Sequence, residues 1–320
     1  MSNAVIVKLN ELGYTTIPEA FYGKVNEWRM WYQGDVKGFH RYRVRNGEHI
    51  VNCKRYSLGM AKKLCEDWAN LLLTEKVKIT LEGEREQAFV DRVLKENNFE
   101  VKANEMQELK SALGTVAYIP RVVGQEISED GSIVPGNAEG IVLDYVTIDN
   151  IYPLSWQNGY ISECAFASVF VRGGHTYMYL QIHHKEDNGN YAIDNRIYLY
   201  DNELLADELL TNVEGFERIP PVVHTGSAKR QFVIDRPNLA NNYNYLLPVG
   251  ISVYANAIDV LQGVDIAYDS YVNEFVLGKK RIMVKPAAST YLDGEPAFDP
   301  ADVVFYVLPE DVSDGAAITP

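Results

Sequence analysis

Cysteine is scarce in this sequence, and long apolar runs are missing. The 320 residues include three cysteines, and no two of them show the CxxC spacing of metal or redox sites. An odd, widely spaced set argues against a disulfide scaffold and favours a reducing cytoplasm. No apolar stretch approaches the roughly 18 residues that a membrane span needs. The composition therefore predicts a protein that neither spans a membrane nor depends on disulfide bonds.

Positive charge is also in deficit. Thirty Lys and Arg residues stand against 44 Asp and Glu residues, which gives a formal net charge of −14. Tight non-specific binding of nucleic acid requires a basic surface that displaces counterions. The charge balance therefore argues against a protein that binds nucleic acid tightly. It is compatible with a protein whose surface repels nucleic acid weakly and lets it slide past.

Helical patterns dominate the first third of a chain whose 47% hydrophobic content can build a sizeable core. A short helix is predicted over residues 18–32, and a small hairpin around the turn Asn46-Gly47. The hairpin arginines are interpreted as one solvated strand face in preference to a nucleic-acid patch. An amphipathic helix over 57–73, a strand over 77–81 and two helices over 84–97 and 103–113 follow.

From Thr115 onward the hydrophobic periodicity changes to two. Strands are predicted over 116–123, 141–148, 160–171, 177–183 and 197–200, separated by glycine turns such as Asn158-Gly159. This pattern indicates an antiparallel meander between about 115 and 202. Helices followed by strands predict an α+β fold in preference to an alternating α/β fold. The polar residues 226–244 are interpreted as a linker.

The most unusual segment is a helical pattern over residues 249–275. Its apolar residues recur at steps of three and four, and Asp265 is the one break in the stripe. At ~1.5 Å per residue such a helix would span roughly 40 Å. A rod of this kind is expected to pack against copies of itself. The candidates for subunit packing are therefore the members of the stripe: Ile251, Tyr254, Ile258, Leu261, Tyr268, Val272 and Phe275.

The segment after Gly278 contains short strand-like stretches with Pro and Gly turns. Asp293-Gly294 and Asp299-Pro300 mark two of these turns. The last residues lack a closing element. We expect the natural product to continue beyond Pro320, and a disordered tail is the alternative.

Motifs of known catalytic chemistry are missing. The sequence has no GxxxxGK[ST] phosphate loop, no GxGxxG turn, no HExxH and no GxSxG. His183 and His184 are neighbours in a predicted strand and point to opposite faces, which is poor geometry for one metal ion. His175 and His224 are interpreted as structural, and Cys164 as a small core residue. We therefore expect no catalytic residue, no metal site and no cofactor.

Two features stay open at the level of sequence. Scattered carboxylates leave room for a metal-dependent hydrolase or nuclease whose acids meet only in the fold. The cations that follow the long helix complement the dipole at its C-terminal end, or alternatively touch phosphate; they are Lys279, Lys280 and Arg281.

Several loose motifs follow one another in a characteristic order. They are Trp28, Trp31, Tyr32 and Gly34, the helix over 56–73, the strand over 77–81, Gly114-Thr115-Val116-Ala117-Tyr118-Ile119-Pro120, Glu129-Asp130-Gly131, residues 145–156 and 158–163, Pro248-Val249-Gly250-Ile251-Ser252, and Gly278-Lys279-Lys280-Arg281-Ile282. In this order the chain resembles portal proteins of tailed double-stranded DNA bacteriophages, of the type common in phages of Gram-positive hosts. The resemblance covers nearly the whole chain.

The resemblance implies a virion protein without catalysis of its own. Such proteins form a ring, usually of twelve subunits, at one capsid vertex, after assembly in the host cytoplasm. Residues 1–244 would be a wing-like α+β domain, residues 245–277 a stem helix, and residues 278–320 a short β-rich clip. The family continues with a second stem helix, a tunnel loop and a crown. This chain lacks them, so we expect it to be truncated.

The resemblance also implies partners. Double-stranded DNA would pass through the ring non-specifically during packaging and ejection. The terminase large subunit, head-completion or adaptor proteins, and capsid and scaffold proteins would dock on it. The residues expected to face the channel are Asp259, Asp269, Lys279, Lys280 and Arg281. The alternatives are another phage head or adaptor protein that binds only proteins, and the hydrolase or nuclease described above.

Overall fold

The computed structural model describes residues 2–46, 49–72, 77–136, 138–201 and 204–278, together with the short strands of residues 282–284, 291–292, 295–296 and 305–307. The described part combines six α-helices with antiparallel sheets, which confirms the α+β fold class. Within these residues, no helix has both the length and the apolar character required to cross a membrane.

Five of the helices lie in the first 113 residues. They are α1 (Ser2–Glu11), α2 (Glu19–Tyr32), α3 (Met60–Leu72), α4 (Glu84–Glu96) and α5 (Phe99–Leu113), and α6 (Ile258–Leu277) comes much later in the chain. The sequence interpretation missed α1 and started α5 too late. Gly114 ends α5 in the left-handed conformation, at φ 87°, as expected of a C-terminal glycine.

The strands form one hairpin and two larger sheets. In chain order they are β1 (Arg41–Asn46), β2 (His49–Lys54), β3 (Val116–Val123), β4 (Gly140–Thr147), β5 (Ile151–Gln157), β6 (Tyr160–Arg172), β7 (His175–Lys185), β8 (Tyr191–Asp201), β9 (Leu204–Glu208), β10 (Val222–His224) and β11 (Val233–Asp235). β1 and β2 form the predicted hairpin. The large sheet has the order β10-β8-β7-β6-β5, with β9 on β8, and β3 lies between β11 and β4 in a separate sheet.

The predicted meander is therefore only partly correct. β5 to β8 follow one another as antiparallel neighbours, whereas β3 and β4 belong to the other sheet. The predicted linker over 226–244 is wrong, because Phe232 is buried in the core and β11 pairs with β3. The predicted strand over 77–81 has no strand partner among the described residues and is assigned no regular structure.

One main hydrophobic core joins the helices to both sheets. The Tyr254 hydroxyl donates a hydrogen bond of 2.7 Å to the backbone oxygen of Trp28, and both side chains have 0% exposure. The Tyr22 hydroxyl donates to the backbone oxygen of Ile151 over 2.8 Å. Each hydroxyl is thus satisfied while its ring fills the core.

The predicted helix over 249–275 is wrong at its beginning. Residues 249–254 are not helical, and all of them except the half-buried Val253 are buried; α6 begins only at Ile258 after a short turn at Ala255–Ala257. The reason is a crossing with the end of α5: the backbone N–H of Val253 donates to Ser111 O over 2.9 Å, and that of Gly250 to Thr115 Oγ1. A side chain on Gly114 would lie 2.6 Å from Gly250 O, so only glycine permits this approach.

Four short strands lie beyond α6. β12 (Ile282–Val284) pairs with β15 (Phe305–Val307), and β13 (Tyr291–Leu292) pairs with β14 (Glu295–Pro296). These pairs agree with the expectation of a short β-rich segment. Lys279, Lys280 and Arg281 lie outside the described residues.

Candidate assembly surface

α6 has two faces of different character. At 100° per residue, positions 258, 261, 265, 268 and 272 share one side of the helix, and positions 260, 264, 267, 271 and 275 share a neighbouring side about 100° further round. Ile258 and Leu261 pack against the main core, and Asp265 is only 4% exposed. The first side is therefore the inner face of α6, and the second is its outer face.

A buried carboxylate fixes the inner face to the helical part of the chain. Asp265 accepts hydrogen bonds from Leu58 N (2.8 Å) and Ser57 Oγ (3.1 Å), and its Oδ2 lies 2.8 Å from His40 Nε2. The backbone N–H of Val36 donates to His40 Nδ1 over 2.8 Å, so the imidazole proton lies on Nε2 and is donated to Asp265. The one break in the predicted apolar stripe is thus its polar anchor.

A second carboxylate, Asp269, strengthens the same attachment. It accepts hydrogen bonds from the backbone N–H of Tyr56 (2.9 Å) and from Asn273 Nδ2 (3.2 Å). Both donors are neutral groups, and the channel-facing role of Asp269 stays a prediction. Asp259, in the first turn of α6, is exposed, and its channel-facing role also stays a prediction.

The outer face of α6 is open and apolar. Val260, Tyr271 and Phe275 are exposed, the two aromatic side chains by 62% and 64%. The rings of Tyr271 and Phe275 meet edge to face with centroids 4.8 Å apart. Exposed aromatic pairs of this size are typical of contact surfaces between proteins.

The packing candidates taken from the sequence are distributed differently from expectation. Ile251 and Tyr254, at 1% and 0% exposure, belong to the chain's own core and offer a neighbour no surface. Ile258, Leu261, Tyr268 and Val272 lie on the inner face or its border and are half-buried. Phe275 alone of the seven is open. The sequence pattern did not select the exposed apolar residues Val260, Ala267 and Tyr271. The reason is that the predicted stripe was extended through Ile251 and Tyr254, which are not in the helix.

α3 also shows its larger apolar residues to solvent. Its inner side consists of small residues, Ala61, Cys65 and Ala69, which allow close packing on α5. Its outer side exposes Leu64, Trp68, Leu71 and Leu72. The helix is amphipathic as predicted, but its small apolar residues are buried and its large ones are exposed.

Two cysteines and two histidines considered as catalytic candidates are buried or paired within the chain. Burial raises the pKa of the Cys65 thiol to about 12 and that of Cys164 further still, so neither thiol is a ready nucleophile. His183 packs edge to face against the rings of Phe166 and Phe232, and burial lowers its pKa to about 3. His224 Nδ1 lies 2.6 Å from Glu186 Oε1.

Two surface pockets lie in the described part of the chain. One, of about 250 Å³, is lined by parts of β8, β9 and residues 209–221, and another, of about 380 Å³, lies beside Tyr22, Arg29 and Asp149. Neither contains a histidine or a cysteine, and Arg29 pairs with Asp149. Across the described ranges, no group of three or more His, Cys, Asp or Glu side chains is arranged to hold a metal ion.

The chain has an α+β fold, an α6 helix with an exposed apolar face, and a β-rich segment that follows α6 in the sequence. An exposed apolar helix face is typical of a subunit that assembles with other proteins. The family described as "Phage portal protein, SPP1 Gp6-like" matches residues 14–316. The chain therefore belongs to this family of phage portal proteins, which is a family of structural proteins and not of enzymes. A comparison with individually curated proteins finds no match.

Membership of the family establishes the general role. The protein is a structural component of the bacteriophage virion that serves viral DNA packaging. Portal proteins form oligomeric rings at the capsid vertex and associate with capsid and terminase.

Proposed function

We propose that this chain is the subunit of a portal ring and that the outer face of α6 packs on a neighbouring copy. The observation that carries the proposal is the difference between the anchored inner face of α6 and its exposed outer face. The inner face is held by Asp265 and Asp269, whereas Tyr271 and Phe275 on the outer face are largely exposed and meet edge to face. A helix held in this way presents its apolar side in a defined direction.

The ring would be a heterologous assembly, in which two different surfaces of each copy meet. Head-to-tail contacts of this type close into a ring when the rotation between copies divides a full turn. The enclosed channel conducts DNA during packaging and ejection. The expected docking partners are the terminase large subunit, head-completion or adaptor proteins, and capsid and scaffold proteins.

Asp259 is proposed to face the channel. It is the exposed carboxylate on the first turn of α6, and negative charge along a channel repels the phosphates of passing DNA. Lys279, Lys280 and Arg281 remain proposed channel residues by their place in the sequence. The Asp259→Lys variant is expected to retard packaging in a phage complementation assay; unchanged packaging would remove Asp259 from the channel wall.

The ring itself is tested by negative-stain electron microscopy. The purified chain, and a form extended through any downstream reading frame, are imaged side by side. Particles with a central hole support the ring, and their rotational symmetry counts the subunits. Small uniform particles from both forms contradict it and favour an adaptor that binds only protein partners.

A further inference from the structure

The β1–β2 hairpin lacks a third strand. Its two strands pair only with each other, and a two-stranded hairpin is marginally stable on its own in water. One face carries Arg41, Arg43, Arg45 and Lys54, and the other carries Tyr42, Val44, Val51 and Cys53. Among the described residues, the outer edge of β2 makes no backbone hydrogen bond, whereas the base of β1 is bridged to Lys37. β2 is therefore an edge strand whose outer backbone groups are free to pair with another strand.

Residues 77–81 lack a partner as well. Their sequence predicts a strand, and Val77, Ile79 and Leu81 are all exposed. The backbone N–H of Leu81 donates to Gln87 Oε1 (2.7 Å), and Gln87 Nε2 donates to Ile79 O (3.1 Å). The side-chain amide of Gln87 thus occupies one edge of the segment in the manner of a neighbouring strand.

The opposite edge of this segment is open. In an extended chain, the backbone groups of alternate residues point to the same side, so those of Lys78 and Thr80 point away from Gln87. Neither residue makes a backbone hydrogen bond within the described part of the chain. An extended segment with one edge fixed and the other free is a template for strand addition.

The two unpaired edges are complementary in their apolar faces, and the acidic residues that follow residue 81 complement the basic hairpin. The hairpin is basic, and residues 77–81 lead directly into the exposed carboxylates of Glu82, Glu84 and Glu86. If the two edges pair, Val77, Ile79 and Leu81 continue the apolar face of the hairpin. The even-numbered side chains Lys78, Thr80 and Glu82 then lie on the face of the arginines, where Glu82 adds an opposite charge and Lys78 a like one.

We infer that β2 of one copy pairs with residues 77–81 of a second copy and forms a three-stranded sheet across the subunit boundary. Each copy carries one of each edge, so the contact is head-to-tail and can continue around a ring. DNA is a poorer partner for the hairpin, because it would cover the arginines but not Tyr42, Val44 and Val51. The inference rests on the proposed ring for its closure.

A disulfide trap tests the pairing. Cys53 and residue 79 would lie on the same face of the joint sheet, so Ile79→Cys creates a cross-strand cysteine pair. The other two cysteines, Cys65 and Cys164, are buried and do not compete. Diamide oxidation of the purified variant, followed by a non-reducing gel, is expected to yield a ladder of covalently joined chains.

Two controls define the result. The ladder must vanish when Cys53→Ser is added to Ile79→Cys. Val101→Cys, which replaces a valine as exposed as Val77 (51%), provides a matched thiol away from both edges. We expect at least about tenfold less joined product from Val101→Cys, because proximity within a complex raises the effective concentration of the two thiols.

A proline tests the backbone contact directly. Thr80→Pro, in the Ile79→Cys background, removes the outward N–H while tolerating an extended conformation. It is expected to abolish the ladder, whereas Thr80→Val, which keeps the N–H, is expected to retain it. Far-ultraviolet circular dichroism checks that both variants fold.

The outcomes separate the strand pairing from the ring. Rings seen by electron microscopy without a ladder overturn the pairing and leave the ring standing. A ladder without rings supports the pairing and contradicts the ring. An oxidised band that stays at monomer mass indicates pairing within one chain and overturns the inference. The inference is also overturned if no ladder forms and Arg43→Glu abolishes DNA binding, because the basic face of the hairpin would then bind DNA.

Discussion

At the scale of single residues, two buried polar side chains carry different costs. His183 has no hydrogen-bond partner on either ring nitrogen among the described residues and packs edge to face against two phenylalanine rings. The oxygens of Asp265 are saturated by His40, Ser57 and Leu58. Burial of a polar group is costly when it is unpaired and is compensated when it is paired, so we expect opposite responses to substitution.

The His183→Phe variant should resist acid better than the native chain. The folded-state pKa of His183 is about 3, below the ordinary value near 6.5, so the unfolded state binds an extra proton between these values. Its contribution to stability is therefore lost as the pH falls below about 6.5, by about 1.4 kcal/mol per pH unit. Urea unfolding at several pH values between about 6.5 and 4 measures the slope. An unchanged slope in His183→Phe, or an equal change in the exposed-site control His175→Phe, would contradict the assignment.

The Asp265→Ala variant should be strongly destabilised. It leaves an imidazole N–H, a hydroxyl and a backbone N–H without an acceptor in a buried place. The loss of one member of such a buried polar network costs about 3–5 kcal/mol. Asp259→Ala, an exposed aspartate on the same helix, should change stability by about 0.5 kcal/mol or less. Denaturation midpoints of the two variants, measured in parallel, decide whether Asp265 is the anchor.

At the scale of elements, helix periodicity was a good guide to the existence of helices and a poor guide to their faces. α2, α3 and α4 were predicted within a few residues of their ends because each repeats its apolar positions locally. The faces of α3 and α6 were misjudged. Which side of a helix is buried depends on the neighbour: α5 accepts only small side chains from α3, and residues 57–58 provide polar hydrogen atoms to Asp265.

Charged replacements on the outer face of α6 should block assembly without unfolding the subunit. Tyr271→Asp with Phe275→Asp removes the exposed aromatic pair, and each aromatic anchor of an interface typically contributes about 2 kcal/mol or more. The thermal unfolding of the subunit should be preserved, because both rings are exposed in it. Native mass spectrometry measures the loss of oligomers. Val171→Asp, at an exposed position of β6, is the control that should still assemble.

At the scale of the whole molecule, the core extends past the domain boundary predicted at residue 244. Leu247, Val249, Ile251 and Tyr254 are buried in the same core as α2 and the sheets. A chain cut after residue 244 should therefore fail to unfold cooperatively, since loss of each large core side chain costs about 2–5 kcal/mol. A chain cut after residue 278 should keep its transition. Thermal melts followed by circular dichroism compare the two, and equal melting temperatures would restore the predicted boundary.

The sequence by itself determined the α+β class, most helices, the meander of β6 to β8 and the portal family. These properties depend on local periodicity and on the order of motifs along the chain. Tertiary structure alone decided that residues 249–254 are core and not helix, because the end of α5 supplies their hydrogen-bond partners. It also decided which face of α6 is open and which strand edges are unpaired. Such properties depend on residues far apart in sequence, and no local pattern records them.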